Sequence, residues 1–461
     1  MAANAEEIIA LTESICPACL TRIPARRIAE GENVYLDKTC PEHGNFRTII
    51  WRGQPSYSSW SVPKLLSHTT VCATSVDRGC PYDCGLCPDH RQSTCCVLLE
   101  VTQRCNLRCP VCFASAGREW GDPDIGTVEG WYRMLMESGG PYNIQLSGGE
   151  PTMRDDLPEI ISLGRSLGFS FFQLNTNGVR LAEDAAYVRS LKEAGLGCVF
   201  LQFDGTSDSI YEKVRGKALL DIKRAAILHC RENQLGVVLV PTLVPGINAG
   251  NIGGVIEFAV KMMPTVRGVH FQPMSYFGRY PKAPADSDRI TIPEIITEIE
   301  IQTGGMIKSA DFHPPKAENA YCSFSGSFVL MESGEMKPQR KADAGCCCTP
   351  VVTADGARRA QLFVARRWTA GNDGMQTTRG TVNKEASSVM KIDSLDAFLD
   401  RVDKYSLCIS GMAFQDVWNV DLERLQECFI HVVSPDKRII PFCAYNLTSS
   451  AGRPLYRRAC L

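Results

Sequence analysis

The sequence predicts an α/β fold: a parallel sheet built from strand–helix–strand units, flanked at both ends by small cysteine-rich metal-binding segments. Two observations carry this expectation. Between residues 95 and 279, β-rich runs alternate with helix-like stretches, which argues for parallel strands joined by right-handed crossovers. The 22 cysteines divide into 12 in residues 1–112, Cys198 and Cys230 in the middle, and eight from residue 322 onward.

Composition narrows the class of protein. With 461 residues, 44% of them hydrophobic and 22% charged, the chain suits one large folded domain with smaller attachments. The 49 basic and 51 acidic residues leave a net charge of −2, which gives nucleic acid or an anionic membrane no electrostatic footing. The opening "MAANAEEIIALTES" is acidic and lacks the basic end and apolar centre of a signal peptide. No uninterrupted apolar run reaches ~18 residues, so no membrane span is expected and the location reads as cytoplasmic. Twenty-two cysteines in a reducing compartment point to metal ligands rather than disulfides.

Taken in order, residues 1–68 hold "CPACLTRIPARRIAEGENVYLDKTCPEHG", in which Cys16, Cys19, Cys40 and His43 form two close ligand pairs across a β-like loop. That spacing is that of a zinc ribbon or rubredoxin site, with mononuclear iron or zinc as the expected metal. Residues 69–94 contain "RGCPYDCGLCPDH", a C-x3-C-x2-C set at Cys80, Cys84 and Cys87 that reads as an auxiliary iron–sulfur segment. The strand "CCVLLEVTQ" (95–103) leads into "RCNLRCPVCFASAG", where Cys105, Cys109 and Cys112 repeat the spacing. Three thiolates on a four-iron cube leave one iron open for a substrate or cofactor; a zinc site, or a four-thiolate electron-transfer cluster borrowing a distant cysteine, is the alternative. "NIQLSGGEPTMR" (143–154) then reads as a strand over Ile144–Leu146, a turn at Gly148, Gly149, Glu150 and Pro151, and a helix with apolar Leu157, Ile160, Ile161 and Leu167.

The three-cysteine stretch followed by this Gly-Gly-Glu-Pro turn resembles the radical S-adenosylmethionine (radical SAM) superfamily. The resemblance implies a partial six-strand (β/α)6 barrel over 95–300, a 4Fe-4S cluster on Cys105, Cys109 and Cys112, and SAM chelated by the open iron with its amino group against the turn. "FSFFQLNTNG", "GLGCVFLQFDG", "LGVVLVPTLVPGIN" and "VRGVHFQPMSYFGR" supply the remaining strands, with helices over 181–194, 218–232 and 251–263. Ligands of α/β barrels lie at the strand C-terminal ends, which directs Asn175, Asn177, Asp204, Thr242 and Gln272 toward the site. The competing role for each is to cap its own loop.

With "CPxC…CPEHG", "CPYDCGLCP" and the ending "FQDVWNVDLERLQECFIHVVSPDKRIIPFCAYN", the chain is similar to the tetraether lipid synthase group and its relatives that methylate pterin precursors. "GCCCTP" (345–350) and the pair Cys95–Cys96 fit none of those motifs and suggest the bacterial TrsS (seleno)protein-like branch. The resemblance implies further 4Fe-4S clusters in 69–94 and in a C-terminal, SPASM-like segment over 301–461, the latter on Cys428 and Cys443 with Cys322 and Cys408 as partners. Residues 366–390 are polar and aperiodic and read as a flexible loop or lid.

The implied activity is reductive cleavage of SAM to methionine and a 5′-deoxyadenosyl radical, used for C–H activation and carbon–carbon bond formation. Two products suit it: C-methylation of a small or cofactor-like substrate with a folate-type one-carbon donor, or coupling of lipid alkyl chains. The segments between strands are not unusually apolar, which favours the small substrate. A multi-cluster electron-transfer protein without SAM turnover is the reading from another class. A reducing partner such as ferredoxin or flavodoxin is implied.

Overall fold

The computed structural model describes residues 6–61, 64–65, 71–117, 121–339, 351–369 and 392–457. The chain opens with an antiparallel meander of β1 (Glu7–Ile15), β2 (Arg22–Glu30), β3 (Asn33–Cys40) and β4 (Gly44–Arg52). Its strands alternate in burial as pleating requires: Val34, Leu36, Lys38 and Cys40 of β3 all face inward. The cysteine loop 78–90 follows, shaped by Asp83, whose Oδ2 accepts the backbone N–H groups of Asp77, Arg78 and Gly79 at 2.6–2.8 Å.

The central sheet holds six parallel strands in sequence order: β5 (Cys96–Thr102), β6 (Asn143–Gly148), β7 (Phe172–Thr176), β8 (Cys198–Gln202), β9 (Gly236–Val240) and β10 (Val266–Pro273). Between them run α1 (Ile125–Glu137), α2 (Leu157–Ser166), α3 (Val179–Glu183), α4 (Ala185–Ala194), α5 (Asp208–Arg215), α6 (Leu220–Glu232) and α7 (Ile252–Lys261). One side-chain parity of each strand is apolar and packs on the helices: Ile144 and Leu146, Phe172 and Leu174, Val199 and Leu201, Val237 and Leu239, Val269 and Phe271. The other parity faces the barrel interior and is largely polar, with Gln145, Asn175, Gln202, His270 and Gln272.

The expected C-terminal segment over 301–461 does not stand apart from this sheet. After α8 (Ile292–Gln302) come β11 (Ser323–Leu330), β12 (Met336–Pro338), α9 (Thr353–Trp368), α10 (Ile392–Lys404) and β13 (Ser406–Met412). β13 adds in parallel beside β10, with β11 and then β12 antiparallel beyond it. After α11 (Leu422–Gln426), β14 (Ile430–Val433) adds in parallel beside β5, with β15 (Ile439–Pro441) outside it and α12 (Phe442–Asn446) next in the chain. The sheet order is therefore β12-β11-β13-β10-β9-β8-β7-β6-β5-β14-β15, and both edges of the six-strand core, which would otherwise present unpaired backbone, are covered by strands from the same late segment. The connection 413–429 leads from one edge to the other.

Two further elements fix the barrel. α9 closes the N-terminal end of the strands, where Trp368 packs with Phe171, Cys198, Phe200 and Val238. Arg267 donates to the carbonyls of Arg367, Asp403 and Lys404, satisfying helix-end acceptors of α9 and α10. The β1–β4 meander docks on 417–423: Thr12 and Arg27 bond the Asp421 carboxylate, Ser14 donates to the Val420 carbonyl, and Lys38 Nζ donates to the Val417 carbonyl at 2.8 Å. Of the loop expected over 366–390, residues 366–368 are the last turn of α9, and 370–390 lie outside the described residues. No helix among the described residues is long and apolar enough to cross a membrane.

Candidate functional site

The C-terminal ends of the strands surround a cavity of about 250 Å³. Cys105, Cys109 and Cys112 reach it from the loop after β5. That loop is held on both flanks: Cys112 and Arg279 exchange backbone hydrogen bonds at 3.0 Å each, and Arg279 Nε donates to the Cys109 carbonyl at 3.0 Å. Burial pushes the Cys105 thiol up to about 11 and raises Cys109, against which the Arg215 guanidinium acts in the opposite direction. Thiols so placed take up metal with release of protons.

The Gly-Gly-Glu-Pro turn is pressed against the strand that leads into this loop. Gly149 N donates to the Thr102 carbonyl and Glu150 N to the Arg104 carbonyl, both at 2.8 Å. A Cβ on Gly148, whose φ is +127°, would stand 2.1 Å from Thr102 O, and one on Gly149 would stand 2.2 Å from Arg104 O. Glycine is required at both positions by backbone approach. Glu150, 2% exposed, accepts at Oε1 from Thr152 N (3.1 Å), Thr152 Oγ1 (2.7 Å) and Thr176 Oγ1 (2.7 Å), and at Oε2 from Asn177 N (2.7 Å). Its carboxylate thus joins the turn after β6 to the turn after β7. Asn177 Nδ2 in turn donates to Asn106 Oδ1 at 2.6 Å, tying the same turn to the cysteine loop.

Gly148, Gly149, Glu150, Asn175, Asn177, Thr242 and Gln272 all line the cavity. Pro151 and Asp204 do not line it. Pro151 is buried at the start of a 3-10 turn. Asp204 lies behind Arg215, gripping its guanidinium with two contacts of 2.7 Å, and Arg215 is the residue exposed to the cavity. Arg215, Gln145, Gln202 and His270 were not singled out from the sequence. The signal for three of them was strand parity: Gln145 is two residues from Ser147, Gln202 two from Phe200, and His270 two from Gln272, all on the inward face. His270 Nδ1 pairs with Ser410 Oγ at 2.9 Å. Phe113, Phe200, Phe277, Phe414 and Phe442 add aromatic surface.

The cysteines outside this cavity fall into groups. The ligand atoms of Cys16, Cys19, Cys40 and His43 lie within 4.8 Å of one another, a set that suits one tetrahedral ion. The Cys40 thiol is pulled down to about 6, chiefly by its hydrogen bond to His43. Cys80, Cys84 and Cys87 line a second, small cavity together with His90. Burial raises the Cys322, Cys428 and Cys443 thiols, and the three are close enough that Cys443 and Cys322 raise Cys428 further and Cys322 raises Cys443; Arg424 Nη2 lies 3.5 Å from Cys322 Sγ.

Cys408 corrects the expected ligand set. β11 and β13 run antiparallel with Ser323 opposite Met412 and Ser327 opposite Cys408. Cys322, one residue before Ser323, therefore sits five register positions from Cys408, about 16 Å along the ladder at ~3.3 Å per residue. There the Cys408 thiol meets Ser327, Ser410 and Trp368. Cys95 and Cys96 are buried among Ala317, Ala357, Met412 and Phe429, and Cys346–Cys348 lie outside the described residues.

Comparison with known proteins agrees with this layout. Residues 8–52 match a model described as the HMPTM N-terminal zinc ribbon domain, and residues 99–259 match the radical SAM superfamily. The chain is 37% identical to a 7,8-dihydro-6-hydroxymethylpterin dimethyltransferase of Methanocaldococcus jannaschii, an alignment covering 94% of this chain and 93% of that protein. It is 36% identical over 31% of its length to an Fe-coproporphyrin III synthase of Methanosarcina barkeri, covering 35% of that protein. Among solved structures, SuiB of Streptococcus suis bound to S-adenosylmethionine overlaps 44% of each chain at 14% identity, with a TM-score of 0.36.

Proposed function

Because the chain belongs to the radical SAM superfamily, and within it to the family of the pterin dimethyltransferase, we propose that it forms carbon–carbon bonds by C-methylation of a small, flat heterocycle of the reduced-pterin class. The family brings a 4Fe-4S cluster with SAM, which supplies one-electron cleavage of SAM and hydrogen abstraction from an unactivated C–H bond. The observation that carries the substrate class is the cavity wall. Carboxamides and an imidazole from successive strands, Gln145, Asn175, Gln202, His270 and Gln272, offer donors and acceptors, and phenylalanines offer flat apolar faces. An edge rich in hydrogen-bonding groups and two flat faces is what a heterocycle with alternating ring nitrogens and oxygens requires; alkyl chains would offer those polar groups nothing to bond.

Within this reading Cys105, Cys109 and Cys112 hold the SAM cluster, and the Gly148–Gly149 backbone, anchored through Glu150, receives the cofactor's amino group. Asn177 and Thr242 stand on the same rim. Arg215, fixed by Asp204, places a positive charge beside Cys109 that favours the anionic state of a thiolate cluster. The phenylalanines and the connection 413–429 exclude water from the strand ends. The Cys16–Cys19–Cys40–His43 site is structural, since four protein ligands close it. Cys80, Cys84 and Cys87, and Cys322, Cys428 and Cys443, hold auxiliary clusters, and a ferredoxin or flavodoxin supplies electrons.

The test is anaerobic incubation of the reconstituted protein with SAM, dithionite, a methylene-tetrahydrofolate as the folate-type one-carbon donor, and either a 6-hydroxymethyl-dihydropterin or a diacyl lipid, followed by liquid chromatography with mass detection. Deoxyadenosine together with a pterin carrying one or two extra methyl groups is expected. Product from the lipid and none from the pterin would overturn the substrate class. Loss of deoxyadenosine in the Cys105→Ala, Cys109→Ala, Cys112→Ala protein, with auxiliary iron retained, is expected for the cluster assignment; undiminished cleavage would overturn it.

A further inference from the structure

Three thiols line the small cavity of the 78–90 loop, and a histidine lines it with them. His90 lines the same cavity as Cys80, Cys84 and Cys87 and is 5% exposed. It follows Cys87 by three positions, and its backbone N–H donates to the Cys87 carbonyl at 3.0 Å, a tight turn that keeps His90 beside the cysteine loop at the same cavity. The backbone N–H groups of Asp89 and His90 also approach the Cys87 sulfur, as donors to a thiolate ligand do.

The ring's own hydrogen bond decides which nitrogen is available. His90 Nε2 lies 2.8 Å from the carbonyl oxygen of Cys428. A carbonyl only accepts, so Nε2 carries the hydrogen, and the lone pair of the neutral imidazole is on Nδ1. Nδ1 has no hydrogen-bond partner among the described residues. Metal-bound histidines are oriented in this way, with the distal N–H on a backbone carbonyl and the other nitrogen free to ligate. The second imidazole nearby, His431, stands 5.1 Å from His90 between ring centres, is buried, and does not line the cavity.

We propose that His90 is the fourth protein ligand of the iron–sulfur cluster held by Cys80, Cys84 and Cys87, bound through Nδ1. The inference rests on the reading of this loop as an auxiliary cluster site. Replacing one thiolate by a neutral imidazole removes a negative charge from the cluster and raises its reduction potential, as histidine ligation does in other iron–sulfur centres. The site is thereby suited to accept an electron rather than to deliver one at the low potential that SAM cleavage needs. The Cys428 carbonyl that orients His90 belongs to a residue of the neighbouring three-thiol group, so the imidazole forms a short covalent and hydrogen-bonded bridge between the two.

The experiment uses the full-length protein with Cys105, Cys109 and Cys112 replaced by alanine, reconstituted anaerobically and reduced with dithionite, so that auxiliary clusters alone contribute. Pulsed electron paramagnetic resonance should show a strongly coupled nitrogen that changes when the protein is made with nitrogen-15 histidine. His90→Cys should abolish that coupling, keep the iron content and lower the midpoint potential, whereas His431→Phe should leave the coupling in place. Absence of histidine coupling in the parent with its iron retained, or its survival in His90→Cys, would overturn the assignment. In a separate arm, Cys80→Ser, Cys84→Ser, Cys87→Ser should lose about four irons; unchanged iron there would overturn the cluster reading of the loop itself.

Discussion

Glu150→Gln tests whether the turn after β6 is held by charge or only by shape. The carboxylate is 2% exposed and accepts four hydrogen bonds, two of them from the backbone N–H groups of Thr152 and Asn177 on opposite oxygens. A carboxamide has one acceptor oxygen. Whichever way it turns, its NH2 faces one of those N–H groups, donor against donor, while the threonine hydroxyls can rotate to adapt. One buried backbone donor is left unsatisfied, which costs about 1–3 kcal/mol. Glu150→Ala orphans both and should cost more. Urea unfolding of the metal-free protein reads the difference, and SAM binding to the reconstituted protein should weaken in the same order because Gly148 and Gly149 lose their anchor to the turn after β7. A Glu150→Gln midpoint equivalent to within ~0.5 kcal/mol of the parent would refute the reasoning, since that is the scatter of an inconsequential substitution.

Gly149→Ala must move the Arg104 backbone, one residue before Cys105, so iron content should fall along with SAM binding; full iron with only binding lost would contradict the packing described. Asp204→Asn leaves the Arg215 guanidinium buried without its partner and should cost about 3–5 kcal/mol in urea unfolding, most of it recovered in Asp204→Asn, Arg215→Met. Burial holds Lys38 down to about 7, so the unfolded chain binds the extra proton between about pH 7 and the ordinary lysine value of 10.5; stability should rise with pH across that window. Lys38→Met should flatten that rise, and parallel parent and variant curves would rule the lysine out as its source.

What could be read in the sequence was whatever local spacing determines. The six strands of the core, the helices around 157–166, 220–232 and 252–261, and the four ligands of the ribbon all follow from period and spacing within a few tens of residues. Long-range register could not be read. Cys322 and Cys408 are equally plausible partners for Cys428 and Cys443 until β11 pairs with β13, and five register positions then separate them. Asp204 ends a strand and has the chemistry of a site residue, yet its carboxylate is taken by Arg215, eleven positions on and across a helix. His270, Gln145 and Gln202 alternate with apolar neighbours as any half-buried strand would; which parity faces a cavity and which faces helices depends on the curvature of the whole sheet. β13 and β14 are short and look like the strands of a separate small unit, and their membership of the central sheet is a matter of pairing alone.

The path of residues 413–429 from one sheet edge to the other has a consequence for how the molecule is made. During synthesis on the ribosome the barrel strands emerge between residues 96 and 273, and the loop bearing Cys105, Cys109 and Cys112 is complete long before residue 413 leaves the exit tunnel. Throughout that interval β5 and β10 are bare edges and nothing spans the mouth between them. The meander that will grip the spanning segment has been synthesised by then, and its Arg27, Lys38 and Ser14 have partners that lie several hundred residues further along the growing chain. Assembly of the mouth is therefore the joining of an early-made clasp to a late-made strap, and the cluster-loop thiols of a nascent protein arrested at residue 412 should react with alkylating reagents faster than those of the finished chain.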